Sequence, residues 1–145
     1  MMSLKVTLRP NEQMIVNGCS IRNTGRTHEL HIESRADVIR GKDLLPLEEV
    51  TTPVSRVYFL VQIALIYPPT REALLPKIQS GMADLALVFG GQNLRHVFEA
   101  ANLISQFDFY KALTHLRPLL RHERRLLGID DEAGPEGREP RTATG

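Results

Sequence analysis

Two patterns in the 145 residues point to an α+β fold, a small N-terminal antiparallel β-sheet followed by a C-terminal bundle of three or four helices. Up to about residue 45, apolar and polar residues alternate in short runs between turn signals. From Thr52 onward, apolar residues recur at helical spacing between proline and glycine stops.

The strands come first. Leu4, Val6 and Leu8 alternate with Lys5 and Thr7, and Arg9-Pro10-Asn11 turns the chain. The run from Gln13 to Ile21 carries Met14, Ile15, Val16 and Ile21, with Asn17-Gly18 inside it as a hairpin signal. Asn23-Thr24-Gly25-Arg26 is a second turn. Leu30 and Ile32 then alternate with Glu29, His31 and Glu33, and Val38-Ile39 opens a further short run. This spacing predicts one small antiparallel sheet of about four strands.

The helices follow. Thr52-Pro53 is an N-cap and first-turn pair. The next segment, through Val57, Leu60, Val61, Ala64 and Leu65 to about Tyr67, is apolar nearly all round and so expects central burial. Its longest apolar stretch is broken by Gln62 and falls short of the about 17–25 residues a bilayer span needs, so no membrane partner is expected. Pro68-Pro69 ends it, Thr70 is the expected cap of a second helix, Pro76 is expected to kink or split that helix, and Gly90-Gly91 closes it. A third helix covers about Gln92 to Gln106, with Leu94, Val97, Phe98, Ala101 and Ile104 on one stripe. Asp108 caps a fourth, which stops at Gly128.

The division is a β-rich part over 3–50, a helical part over 51–128 packed with it as one domain, and an acidic tail over 129–145 whose composition reads as disordered. With 18 Lys+Arg against 17 Asp+Glu and 42% apolar residues, the chain is neither a disordered protein nor a collagen-like repeat. The single cysteine, Cys19, excludes an intrachain disulfide framework, and the N-terminus lacks a long apolar signal region, so a reducing, cytoplasmic location is expected. The charge is uneven: residues 51–128 carry nine basic and five acidic groups, and 129–145 two and five.

The fourth helix is the most informative. Phe109, Ala112, Leu113, Leu116, Leu119, Leu120, Leu126 and Leu127 share one face. Lys111, His115, Arg121, His122 and Arg125 lie opposite, Arg117 and Arg124 flank the boundary, and Pro118 on the basic side is expected to kink the helix. Glu123 projects from the apolar side and needs a partner, such as an arginine on a neighbouring helix. Arginine forks match phosphate oxygens, so this face is a candidate polyanion track; the plainer reading is a solvated face at a helix C-terminus, where cations are favoured. A second basic set, Arg22, Arg26, Arg35, Arg40 and Lys42, is interleaved with acids in the strand region. Leu85, Leu87, Val88 and Phe89 crowd together with Ala83 and Ala86 as a central helix or a partner surface, a homodimer included.

Catalysis has no support in the motifs: no phosphate-binding loop, nucleophile elbow or dinucleotide fingerprint is present. His28 and His31 fall on opposite faces of a strand, which argues against a metal site. No enzyme activity, cofactor or metal is therefore expected.

Taken in order, several segments resemble the FlbT family of bacterial flagellar post-transcriptional regulators. They are Leu4-Lys5-Val6-Thr7-Leu8-Arg9-Pro10-Asn11 running on to Asn17-Gly18, Thr52-Pro53-Val54-Ser55-Arg56-Val57-Tyr58-Phe59, Tyr67-Pro68 with Arg71-Glu72-Ala73-Leu74, and Asp108-Phe109-Tyr110-Lys111-Ala112-Leu113. The resemblance spans roughly residues 2–127. It implies a non-enzymatic repressor that associates with the 5′ untranslated region of flagellin mRNA and promotes its decay. It also implies work alongside the FlaF regulator, with flagellin itself as a further partner; some members act as positive regulators instead. The family transfers no RNA-contacting residues, so the candidates rest on charge: Lys111, Arg117, Arg121, Arg124 and Arg125 on the fourth helix, with Arg22, Arg26 and Arg40 in the strand region. The alternative is a protein-interaction or chaperone-like module that binds flagellin or a partner regulator through Leu85, Leu87, Val88 and Phe89, with an indirect effect on mRNA.

Overall fold

The computed structural model describes residues 4–129, so all of the acidic tail beyond Ile129 lies outside the described residues. The Asn17-Gly18 pair forms the tight turn its sequence demands. Both residues have positive φ (49° and 81°), as a type I′ hairpin turn requires. The turn divides the long second run into β2 (Gln13–Val16) and β3 (Cys19–Arg22), which pair antiparallel with Val16 opposite Cys19. A Cβ on Gly18 would sit 2.5 Å from the Ile66 carbonyl oxygen, so the turn rests directly on the helical part.

Where one four-stranded sheet was expected, the described residues form five strands in two sheets. β1 (Leu4–Leu8) pairs with β4 (His28–Ile32), with Val6 opposite Leu30. The second sheet has the order β3-β2-β5, with β5 at Val38–Arg40. Period-two alternation explains the layering. Met14, Val16 and Val38 face the β1–β4 ribbon and meet Val6, Leu8 and Ile32, while Ile15 and Ile39 face the helices. Arg40 ties the layers: its Nη2 donates to the Thr7 carbonyl at 2.6 Å and stands 3.9 Å from Glu12.

Four helices follow: α1 (Pro53–Ile66), α2 (Arg71–Val88), α3 (Gly91–Ser105) and α4 (Phe109–Leu126). α1 packs against both α2 and α4, α4 against α3, and α2 closes onto α3. Thr52 caps α1 in a reciprocal capping box with Ser55. Val54, Tyr58 and Val61 of α1 are fully buried, as its all-round apolarity predicts. Gln62 is no defect there, because its side-chain amide holds Leu45 in both directions, accepting from the backbone N–H at 2.7 Å and donating to the carbonyl at 3.0 Å. Arg71 locks the joint between sheets and helices. Its guanidinium donates to the carbonyls of Ala64 and Leu65, pairs with Asp37 at 3.3 Å and lies over the Phe109 ring.

Several expectations need correction. Thr70 does not cap α2, because a short 3₁₀ turn over Pro68–Thr70 feeds the helix and the Thr70 hydroxyl donates back to Tyr67. α2 is one continuous helix through Pro76 rather than two. Phe98 is 58% exposed, and Leu126 and Leu127 are 70% and 58% exposed, because α4 ends there with no described element beyond it to cover them.

Candidate nucleic-acid interface

α4 begins where Asp108 accepts a hydrogen bond from the Lys111 amide, and it stops at Gly128, whose φ of 69° is the left-handed stop a glycine supplies. Between these ends the cationic side chains divide into two groups.

One group turns inward. Arg117, 11% exposed at its side chain, donates through Nε to the Tyr58 hydroxyl at 3.2 Å and places Nη2 3.7 Å from Asp43. The Tyr58 hydroxyl in turn donates to the Asp43 carbonyl at 2.8 Å. Burial pushes the Tyr58 pKa upward against the pull of Arg117, so the phenol stays a neutral donor. Burial opposes the charge on Arg117, but Tyr58 and Asp43 outweigh it and raise its pKa. Arg124 is 3% exposed. Neither arginine is presented as a surface contact, so the four-arginine track does not exist as an open face. Glu123 is buried too. Its carboxylate accepts from the Val54 amide at 3.1 Å, so its partner is the positive N-terminal end of α1 rather than an arginine.

The other group lies on the opposite side of α4, open at Lys111 and Arg125. Lys111 and Arg125 are exposed, and His115, Arg121 and His122 are half-buried along the same side of α4. α3 completes this stripe. His96 brings Nδ1 to 3.3 Å from the Nδ1 of His115, and the Phe89 ring lies 6.1 Å from that of His122. Burial, then the neighbouring His115 and Arg121, hold the His96 pKa below its usual range, with Glu99 opposing. The stripe thus sets exposed cations, which suit phosphates, beside half-buried imidazoles.

The strand-region candidates remain apart from this stripe. Arg22 and Arg26 are exposed, but Arg22 ends β3 and Arg26 lies in the loop after it, at the end remote from the turn seated on α1. Arg22 is held to the Asn11 carbonyl at 2.8 Å, and Arg40 serves as the clamp between the sheets. Of the partner-surface candidates, Leu85 is buried in the core, Leu87 and Val88 are 85% and 72% exposed, and Phe89 is half-buried. Sequence reasoning missed His96. The signal was present: α3 and α4 are joined by a short loop, and an antiparallel pair folded about it sets His96 opposite His115. Among the described residues no cluster of three metal-ligating side chains occurs, and no helix is long and apolar enough to cross a membrane.

An α+β body of two small sheets and four helices, with a cationic and imidazole stripe on its last two helices, defines the class. Residues 4–127 match the family model described as flagellar protein FlbT, and the chain belongs to that family. It is 32% identical over 130 residues to a probable flagellum biosynthesis repressor protein FlbT of Rhodopseudomonas palustris, covering 87% of this chain and 98% of that one. It is 27% identical over 128 residues to the flagellum biosynthesis repressor protein FlbT of Caulobacter vibrioides, covering 88% and 91%. A probable repressor of the same name from Bradyrhizobium diazoefficiens is 32% identical over 142 residues, covering 93% and 92%. No solved structure matches.

Proposed function

We propose that this protein represses flagellin synthesis by binding the 5′ leader of flagellin mRNA in the cytoplasm and promoting its decay, without itself catalysing a reaction. The observation that carries the reading is the stripe of Lys111, His115, Arg121, His122 and Arg125 with His96 beside it. Exposed cations supply a salt-dependent attraction to phosphate, while base choice falls to the rings and to groups in single-stranded or bulged RNA. The repressor names of the relatives support the direction of the effect.

The test is fluorescence anisotropy of labelled flagellin leader RNA against a scrambled leader of equal length. The expected result is leader-selective binding that weakens as salt rises. Equal, weak binding of both RNAs would move the function to a protein complex, with flagellin or the FlaF regulator as the next partners to assay.

A further inference from the structure

An open, mostly apolar groove of about 660 Å³ runs between α1 and α2. Its α1 wall carries Pro53, Val57 and Leu60, and its α2 wall carries Pro76, Leu85 and Val88. The floor is set by Gly81, where a Cβ would stand 2.6 Å from a Val57 methyl, so the two helices approach as closely as their side chains permit. At the end of α2, Leu87 and Val88 are 85% and 72% exposed.

Two charges line this groove on the α2 side, Lys77 and Asp84. They stand on one stripe, separated by about two helical turns. Neither has an ion-pair partner among the described residues. They are also symmetric in sequence about the Ser80–Gly81 bond. If a second α2 lies antiparallel across the first with a two-fold axis at that bond, Lys77 of each copy faces Asp84 of the other. The same axis sets Val88 of each copy on the exposed Ala73 of the other. A two-fold interface must be complementary to itself, and this stripe is.

We propose that the groove is the site of a homodimer in which α2 packs antiparallel against α2 of a second copy, paired by two Lys77–Asp84 contacts and the apolar rim at Val88. Of the remaining groove charges, Arg56 stands on the α1 wall, outside the α2 stripe. The inference is independent of RNA binding, because none of these residues belongs to the α3–α4 stripe.

Sedimentation velocity on the full chain, freed of nucleic acid, tests it. The wild type is expected to be a dimer at tens of micromolar. Lys77→Asp and Asp84→Lys each place like charges opposite one another, and each is expected to raise the dissociation constant at least tenfold. The double variant Lys77→Asp with Asp84→Lys restores both pairs and is expected to recover the wild-type constant. Val88→Asp, at an exposed position, is expected to give a folded monomer by circular dichroism. A wild type that stays monomeric at 100 μM would overturn the proposal. So would a charge-swapped double variant no tighter than its parents, or a dimer indifferent to all four changes.

Discussion

Tyr58→Phe removes one oxygen from the interior and tests whether Arg117 is structural. The hydroxyl is fully buried, donates to the Asp43 carbonyl at 2.8 Å and accepts from Arg117 Nε at 3.2 Å. Losing a neutral hydrogen bond costs about 0.5–1.5 kcal/mol, and losing one to a charged group about 1.5–3 kcal/mol. Water cannot enter at Tyr58, but Arg117 keeps 11% of its side chain exposed and recovers part of its loss. The net cost is therefore set at about 2–3 kcal/mol, a fall in Tm of roughly 6–12 °C for a chain of this size. Urea denaturation followed by circular dichroism measures it. Combined with Arg117→Met, the two changes should be non-additive by at least about 1 kcal/mol, since each removes the same bond. Tyr58→Phe within about 0.5 kcal/mol of wild type, or a strictly additive pair, would refute the assignment of Arg117 to the interior.

Gly18→Ala should cost about 2–3 kcal/mol in urea melts, because the site needs positive φ and the added methyl meets the Ile66 carbonyl. Glu123→Ala, which strips the Val54 amide of its acceptor at the α1 N-terminus, should cost about 1–3 kcal/mol by the same measurement. His96 has a pKa below its unfolded value, so the folded state binds fewer protons: its contribution to stability is present at pH 7 and is lost as pH falls through and below about 6.5. Melting temperatures taken from pH 7.5 to 5 should fall on this account, and His96→Asn should flatten that part of the profile. Arg125→Gln and Lys111→Gln, both at exposed positions, should leave stability within about 0.5 kcal/mol of wild type.

What was legible in the sequence was local. Asn17-Gly18 announces its turn, Thr52-Pro53 its helix start and Gly128 its helix stop, because each is a backbone preference that a few residues settle. The split into two sheets was not legible, since β1 reaches past β2 and β3 to pair with β4 and no short-range signal encodes that choice. The basic face of α4 was half legible. Periodicity separated Lys111, His115, His122 and Arg125 from the apolar face correctly. It misjudged Arg117 and Arg124 at the boundary, because burial there depends on what the neighbouring chain supplies: for Arg117, Tyr58 and Asp43 from distant segments. Leu85 and Leu87 are likewise indistinguishable in composition, yet α2 turns the first to the core and the second to solvent.

The central claim is that RNA binds the exposed α3–α4 stripe. The measurement that addresses it is the salt dependence of leader binding for wild type and for the double variant Lys111→Gln with Arg125→Gln. Each phosphate contact on a single strand adds about 0.7 to the slope of log K against log salt, so losing two should make it shallower by about 1.4. That change, with stability intact, is the predicted result. An unchanged slope and affinity would contradict the placement of RNA on this face.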